Sequence, residues 1–141
     1  MNPAERVYVA LGSNLGDREA YLQQAREALT RVPLTKVIAV SSVQETEPIG
    51  GPPQPAYLNQ MVLLETTLDP FRFLKALQRI EDAAGRVRAE RWGPRTLDLD
   101  IVRFGTRRLW EAELTIPHPE LPKREFWQQE IEELEGPRTE D

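Results

Sequence analysis

A chain of 141 residues with 40% hydrophobic and 29% charged side chains reads as one soluble globular domain over 1–141, large enough for a real core but not for two. Its net charge of −5 argues against a general nucleic-acid binder, and no apolar run approaches the roughly eighteen residues that a membrane span needs. The absence of cysteine excludes disulfides, thiolate catalysis and cysteine-bound zinc, and the N-terminus carries no secretory leader pattern, so the cytoplasm is the expected location.

In chain order, Arg6–Leu11 predicts a first strand, ended by Gly12-Ser13-Asn14-Leu15-Gly16-Asp17. That loop has neither dinucleotide-binding glycine spacing nor the Lys-Ser/Thr of a nucleotide-binding P-loop, so it reads first as a turn and helix cap, with a phosphate role as the lesser alternative. Asp17 caps a predicted helix over Arg18–Arg31, where Tyr21, Leu22, Ala25, Leu29 and Val32 form an apolar stripe. Lys36–Val43, rich in valine and isoleucine, predicts a second strand.

Glu45–Pro55 follows, with prolines that forbid a helix or a central strand. An irregular loop of this length in a small domain is more often functional than idle. Tyr57–Thr66 predicts a third strand. Near its start, the Asn59 amide either bonds its own backbone or offers a donor and an acceptor to a planar heterocycle. Asp69-Pro70 is a strong helix start, and the helix runs through Phe73, Leu77, Ile80 and Ala84 to a stop at Gly85. Gln78 and Glu81 share a face near its end, where exposed polar residues are the plain reading.

Arg86, Arg88, Arg91 and Arg95 make the next stretch strongly basic in an otherwise acidic protein. From Leu97 to Ile101 apolar and acidic residues alternate, the signature of a half-buried strand. Leu97, Leu99 and Ile101 would face the core. Asp98 and Asp100 would then share the other face, with β-carbons about 7 Å apart. One reading is a solvated sheet face paired to nearby arginines. The other is a magnesium site, since Mg²⁺ is commonly held by one or two carboxylates plus a substrate's phosphates. Acids for a cation beside arginines for phosphate oxygens is the combination that phosphoryl transfer requires.

Beyond a turn at Phe104–Thr106 lies a short strand near Arg108–Trp110, then Leu114–Pro119, where the only histidine, His118, sits between two prolines. Lys123–Leu134 predicts a last helix with Trp127, Ile131 and Leu134 on its apolar edge. The order is βαββαβ with an appended short strand and C-terminal helix. This is an α+β, ferredoxin-like antiparallel sheet with both main helices on one face, the first and fourth strands adjacent or nearly so, and the opposite face open for loops 46–57 and 86–96.

Arg91-Trp92-Gly93-Pro94-Arg95-Thr96-Leu97-Asp98-Leu99-Asp100-Ile101 resembles the signature of the 6-hydroxymethyl-7,8-dihydropterin pyrophosphokinases of folate biosynthesis. Leu11–Gly16, Thr46–Gly50, Tyr57–Asn59, Gly85–Arg88 and Ile116–Pro119 match the same family in the same order. The resemblance implies transfer of pyrophosphate from ATP to 6-hydroxymethyl-7,8-dihydropterin with release of AMP, and small-molecule substrates only, with neither nucleic acid nor membrane as partner. Two Mg²⁺ ions would be held by Asp98 and Asp100. Arg86, Arg95 and His118 would contact the triphosphate, with Arg88, Arg91 and Arg124 as further candidates, and Trp92 would also belong to the ATP site. Gln78, Glu81, Ile101 and Thr115 would line the adenosine site. Thr46, Pro48, Ile49, Tyr57, Asn59 and Asp98 would receive the pterin, its flat ring between Trp92 and Phe126. Arg86, Arg95, Asp98 and Asp100 would carry the catalysis, with loops 46–57 and 86–96 closing over ATP above the metal-binding face.

After Phe126 the family usually continues with an apolar stretch and a Pro-Leu pair, where this chain has Trp127-Gln128-Gln129-Glu130 and a short acidic end. Two rival classes share the fold: a nucleic-acid module stacking bases on sheet aromatics, against which Asp98 and Asp100 would repel phosphates, and a regulatory ligand-binding domain without catalysis.

Overall fold

The computed structural model describes residues 3–47, 53–85 and 96–135. In chain order they form β1 (Glu5–Ser13), α1 (Arg18–Leu29), β2 (Thr35–Val40), β3 (Gln44–Thr46), β4 (Tyr57–Thr66), α2 (Pro70–Ala83), β5 (Asp98–Phe104), β6 (Leu109–Trp110), β7 (Thr115–Ile116) and α3 (Glu125–Glu135), the last preceded by a 3-10 turn at Leu121–Lys123. Local chemistry sets the helix ends. Asp17 accepts from the Ala20 N–H at 3.1 Å, and Asp69 from the Arg72 N–H at 3.0 Å, with Pro70 opening α2. Gly85 ends α2 at φ +76 with open space where a Cβ would stand, so backbone conformation alone favours glycine there.

The main sheet is antiparallel in the order β2-β4-β1-β5, with β3 also paired to β4. This is the expected α+β arrangement, with the first strand beside the strand that carries the two aspartates. The predicted second strand, Lys36–Val43, stops early at Val40, and β3 pairs with β4 over Gln44–Thr46, mostly within the stretch expected to be loop. The Ser41 hydroxyl accepts from the Met61 N–H at 2.9 Å while the Ser41 carbonyl accepts from the Gln60 amide at 2.6 Å, so side chains replace part of the ladder between β2 and β3.

Val7, Val9, Leu11, Val62, Leu64, Leu99 and Ile101 pack against α1 and α2, where Phe73 meets Phe104 edge-to-face with ring centroids 5.8 Å apart. Burying each such side chain is worth about 1.5–3 kcal/mol. The opposite face is not open as expected. Tyr8, Ala10, Met61, Leu63 and Val102 line it, and α3 covers them with Trp127 and Ile131. The reason lies in β1 and β4, which are apolar on both faces and require cover on both. A bulge at Val102 also turns Phe104 back toward the helices after the Asp98/Asp100 alternation. Among the described residues, no helix is long and apolar enough to cross a membrane.

Candidate active site

Register across the sheet brings the candidate residues together. Gln44 lies opposite Asn59, Asn59 opposite Gly12, and Gly12 opposite Asp98, so the four form one row; Ala10 lies opposite Asp100 in the next. Residues directly opposite share a face, and strands are spaced by about 4.8 Å, which puts Asn59 and Asp98 about 10 Å apart across a glycine. Asn59 Nδ2 donates to Thr46 Oγ1 at 2.6 Å, and Thr46 pairs with Tyr57. A Cβ at position 12 would stand 3.4 Å from the Tyr57 ring and 3.5 Å from Asn59 Oδ1. Glycine therefore leaves the floor between the amide group and the carboxylates low enough for a flat ligand.

At the acidic end, Asp98 and Asp100 are half-buried on the α3 face. His118 is held beside them by its own N–H, which donates to the Val102 carbonyl at 2.9 Å. Its Nδ1 accepts from the Glu120 N–H at 3.0 Å, so in the neutral ring the proton sits on Nε2, 3.8 Å from Asp100 Oδ1. Burial, aided by the nearby Arg124 guanidinium and opposed by Glu120, pushes the imidazole down to about 4. Trp127 meets His118 edge-on at 4.9 Å and carries the Arg124 guanidinium over its ring at 4.5 Å. Arg124 Nε is buried without a hydrogen-bond partner among the described residues. Phe126 packs against this group from α3.

The remaining expected residues fall elsewhere. Gln78 is exposed on α2, while Glu81 is buried and accepts from the Leu99 N–H at 2.8 Å, directly between the two aspartates. The Ile101 side chain belongs to the core beneath α1 and α2. Thr115 sits in the β6–β7 hairpin, opposite Trp110. Pro48, Ile49, Arg86, Arg88, Arg91, Trp92 and Arg95 lie outside the described residues.

Two residues that sequence reasoning left without a role support the site. Asn14 Nδ2 donates to Gln54 Oε1 at 2.8 Å and to the Pro55 carbonyl at 3.0 Å. Arg18 donates to Glu45 at 2.9 Å and to the Ala56 carbonyl at 2.8 Å. Together they tie down the segment entering Tyr57. The signal for Arg18 was available, because a cation in the first turn of a helix opposes the helix dipole and calls for a partner elsewhere.

Among the described residues, no group of three or more His, Asp or Glu could hold a metal by itself. Two half-buried carboxylates on one face fit instead a hard cation whose other ligands are phosphate oxygens and water.

Residues 8–136 match the family described as 7,8-dihydro-6-hydroxymethylpterin-pyrophosphokinase (HPPK). The chain is 46% identical over 119 residues to the 2-amino-4-hydroxy-6-hydroxymethyldihydropteridine pyrophosphokinase of Bacillus subtilis (strain 168), an overlap covering 84% of this chain and 71% of that protein. It is 47% identical over 122 residues to the protein of the same name from Pseudomonas aeruginosa, covering 86% and 75% respectively. The Haemophilus influenzae protein of that name is 44% identical over 119 residues, covering 84% and 74%.

Proposed function

This chain belongs to the 7,8-dihydro-6-hydroxymethylpterin-pyrophosphokinase family, and on that premise we propose that it transfers pyrophosphate from ATP to the hydroxymethyl group of 6-hydroxymethyl-7,8-dihydropterin in folate biosynthesis, as a single domain working in the cytoplasm. The observation that carries the reading is the row that joins an amide and hydroxyl pair, Asn59 and Thr46, through Gly12 to Asp98, with Asp100 and His118 alongside. Amide and hydroxyl groups suit an amino-pyrimidinone edge, and the acidic end suits the phosphates with their counter-ions.

The pterin hydroxyl oxygen attacks the β-phosphorus in line. A new O–P bond forms there, the bond from that phosphorus to the α,β-bridging oxygen breaks, and AMP leaves as the hydroxyl proton is lost. No side chain serves as a covalent nucleophile, so catalysis rests on positioning and charge. Thr46, Asn59 and Tyr57, with Pro48 and Ile49, hold the pterin; Trp92 and Phe126 take its two faces. Arg86 and Arg95 neutralise the phosphate tail, with Arg88, Arg91 and Arg124 adding to the field. The His118 Nε2–H donates to a phosphate oxygen as a neutral group. Gln78, Glu81 and Thr115 belong to the adenosine end, which Ile101 would meet through its backbone, its side chain being in the core. Asp98 and Asp100 would hold two Mg²⁺ ions, which when bound neutralise the phosphates and orient the attacking and leaving oxygens. Asp98 would also bond the pterin's hydroxymethyl group, second to its ligand role.

Product analysis tests the reading. Incubation with MgATP and the hydroxymethyl pterin is expected to yield AMP in step with a diphosphorylated pterin. ADP as the nucleotide product, or no consumption of the pterin, contradicts it.

A further inference from the structure

Helix α3 carries an acid that the proposed reaction does not use. Glu130 has no exposed surface; its Oε2 accepts from Gln44 Nε2 at 3.2 Å, and its Oε1 is buried without a partner among the described residues. One turn further along the helix, Glu133 accepts from the Ser42 N–H and the Ser42 hydroxyl, both at 2.8 Å. Residues three apart on a helix and two apart on an extended chain have similar spans, about 5 and 7 Å, so the two carboxylates match Ser42 and Gln44 in step.

The gripped segment leads straight into the pterin end of the site. Gln44 begins β3 opposite Asn59, and Thr46 ends β3 as the acceptor of the Asn59 amide. β3 is only three residues long and takes its ladder bonds from β4. Phe126 stands one helical turn before Glu130, on the same side of α3.

We propose that Glu130 and Glu133 are positioning residues for the pterin subsite: they lock β3 under α3 and so fix Thr46 and Asn59 relative to Phe126. This rests on the assignment of Thr46, Asn59 and Phe126 to the pterin. Burial pushes the Glu130 carboxyl up to about 7, with Glu133 adding to the rise and the Gln44 hydrogen bond opposing it. The neutral acid keeps its bond from Gln44. Glutamine at position 130 keeps an acceptor oxygen for the Gln44 amide, and alanine does not.

The test compares Glu130→Ala, Glu130→Gln and Glu133→Ala in the full chain. Pterin binding is followed by the fluorescence of the pterin, and nucleotide binding by calorimetry with a non-hydrolysable ATP analogue and Mg²⁺. Each alanine variant is expected to weaken pterin binding about tenfold while kcat at saturating pterin and nucleotide affinity stay within about twofold. Glu130→Gln is expected to remain near wild type. Glu133 is exposed, so its variant keeps the test open should Glu130→Ala fail to fold. Equal weakening of both substrates, or unchanged pterin affinity in the folded alanine variants, overturns the proposal. Failure of the wild-type protein to bind the pterin overturns the pyrophosphokinase reading itself. Amide exchange over 44–46 then judges the clamp alone: faster exchange in Glu133→Ala upholds it, and unchanged exchange removes it.

Discussion

Replacing Glu81 by alanine probes how the strand of the two aspartates is held. Leu99 lies between Asp98 and Asp100, and its N–H donates to Glu81 Oε2 at 2.8 Å with Glu81 only 5% exposed. Among the described residues β5 ends the sheet order, so no further strand there stands ready to take that donor. A hydrogen bond contributes about 0.5–1.5 kcal/mol, and a buried donor left unmatched costs about 1–3 kcal/mol, so a fall of about 2–3 kcal/mol is expected. At a urea slope of about 2 kcal/mol/M the unfolding midpoint drops by about 1 M. Glu81→Gln keeps an acceptor oxygen and should lose about 1 kcal/mol or less. Denaturation followed by circular dichroism reads these shifts, and the Mg²⁺ concentration for half-maximal turnover should rise more in the alanine variant than in the glutamine one. A Glu81→Ala protein with the wild-type midpoint and Mg²⁺ dependence, but a raised KM for ATP, would refute this reasoning and leave Glu81 as an adenosine contact alone.

Other consequences are as direct. Asn14→Ala removes two hydrogen bonds to 54–55, and is expected to cost about 1–2 kcal/mol and to raise the pterin KM without altering that for ATP; steady-state kinetics with each substrate varied will tell. Glu130 holds its proton to about pH 7 in the folded protein and to about 4.5 when unfolded, so stability declines as pH rises between those values; Glu130→Gln should flatten that slope in a series of thermal melts. His118 has the opposite sign. Its folded value of about 4 lies below the ordinary 6.5, so stability grows with pH across that window, and the imidazole resonance of the single histidine should titrate near pH 4 in nucleotide-free protein.

What could be read from the chain was governed by short-range rules. The Tyr57–Thr66 strand follows from a short apolar run, the Asp69-Pro70 helix start from capping, and the shared face of Asp98 and Asp100 from period-two alternation, and the structure has them as expected. What escaped depends on partners far along the chain. The break at Ser41 arises from bonds to Gln60 and Met61, the bulge at Val102 from pairing with β1, and the burial of Glu81 from an amide eighteen residues away. The ferredoxin-like order suggested one open sheet face, yet the apolar run Met61–Leu64 already signalled a strand buried on both sides. Glu130 was invisible for a simpler reason. An acid among Gln128, Gln129 and Glu132 looks like a solvated helix face until the register of α3 turns it inward.

The account's central claim is that two neighbouring acids on one sheet face recruit the cations that hold a nucleotide's phosphates. Its most direct test measures turnover and Mg²⁺-dependent binding of an ATP analogue in Asp98→Ala and Asp100→Ala proteins whose circular dichroism is unchanged. The account predicts turnover lower by at least about a hundredfold, with the Mg²⁺ dependence of nucleotide binding weakened in both. Wild-type turnover in either variant would contradict it.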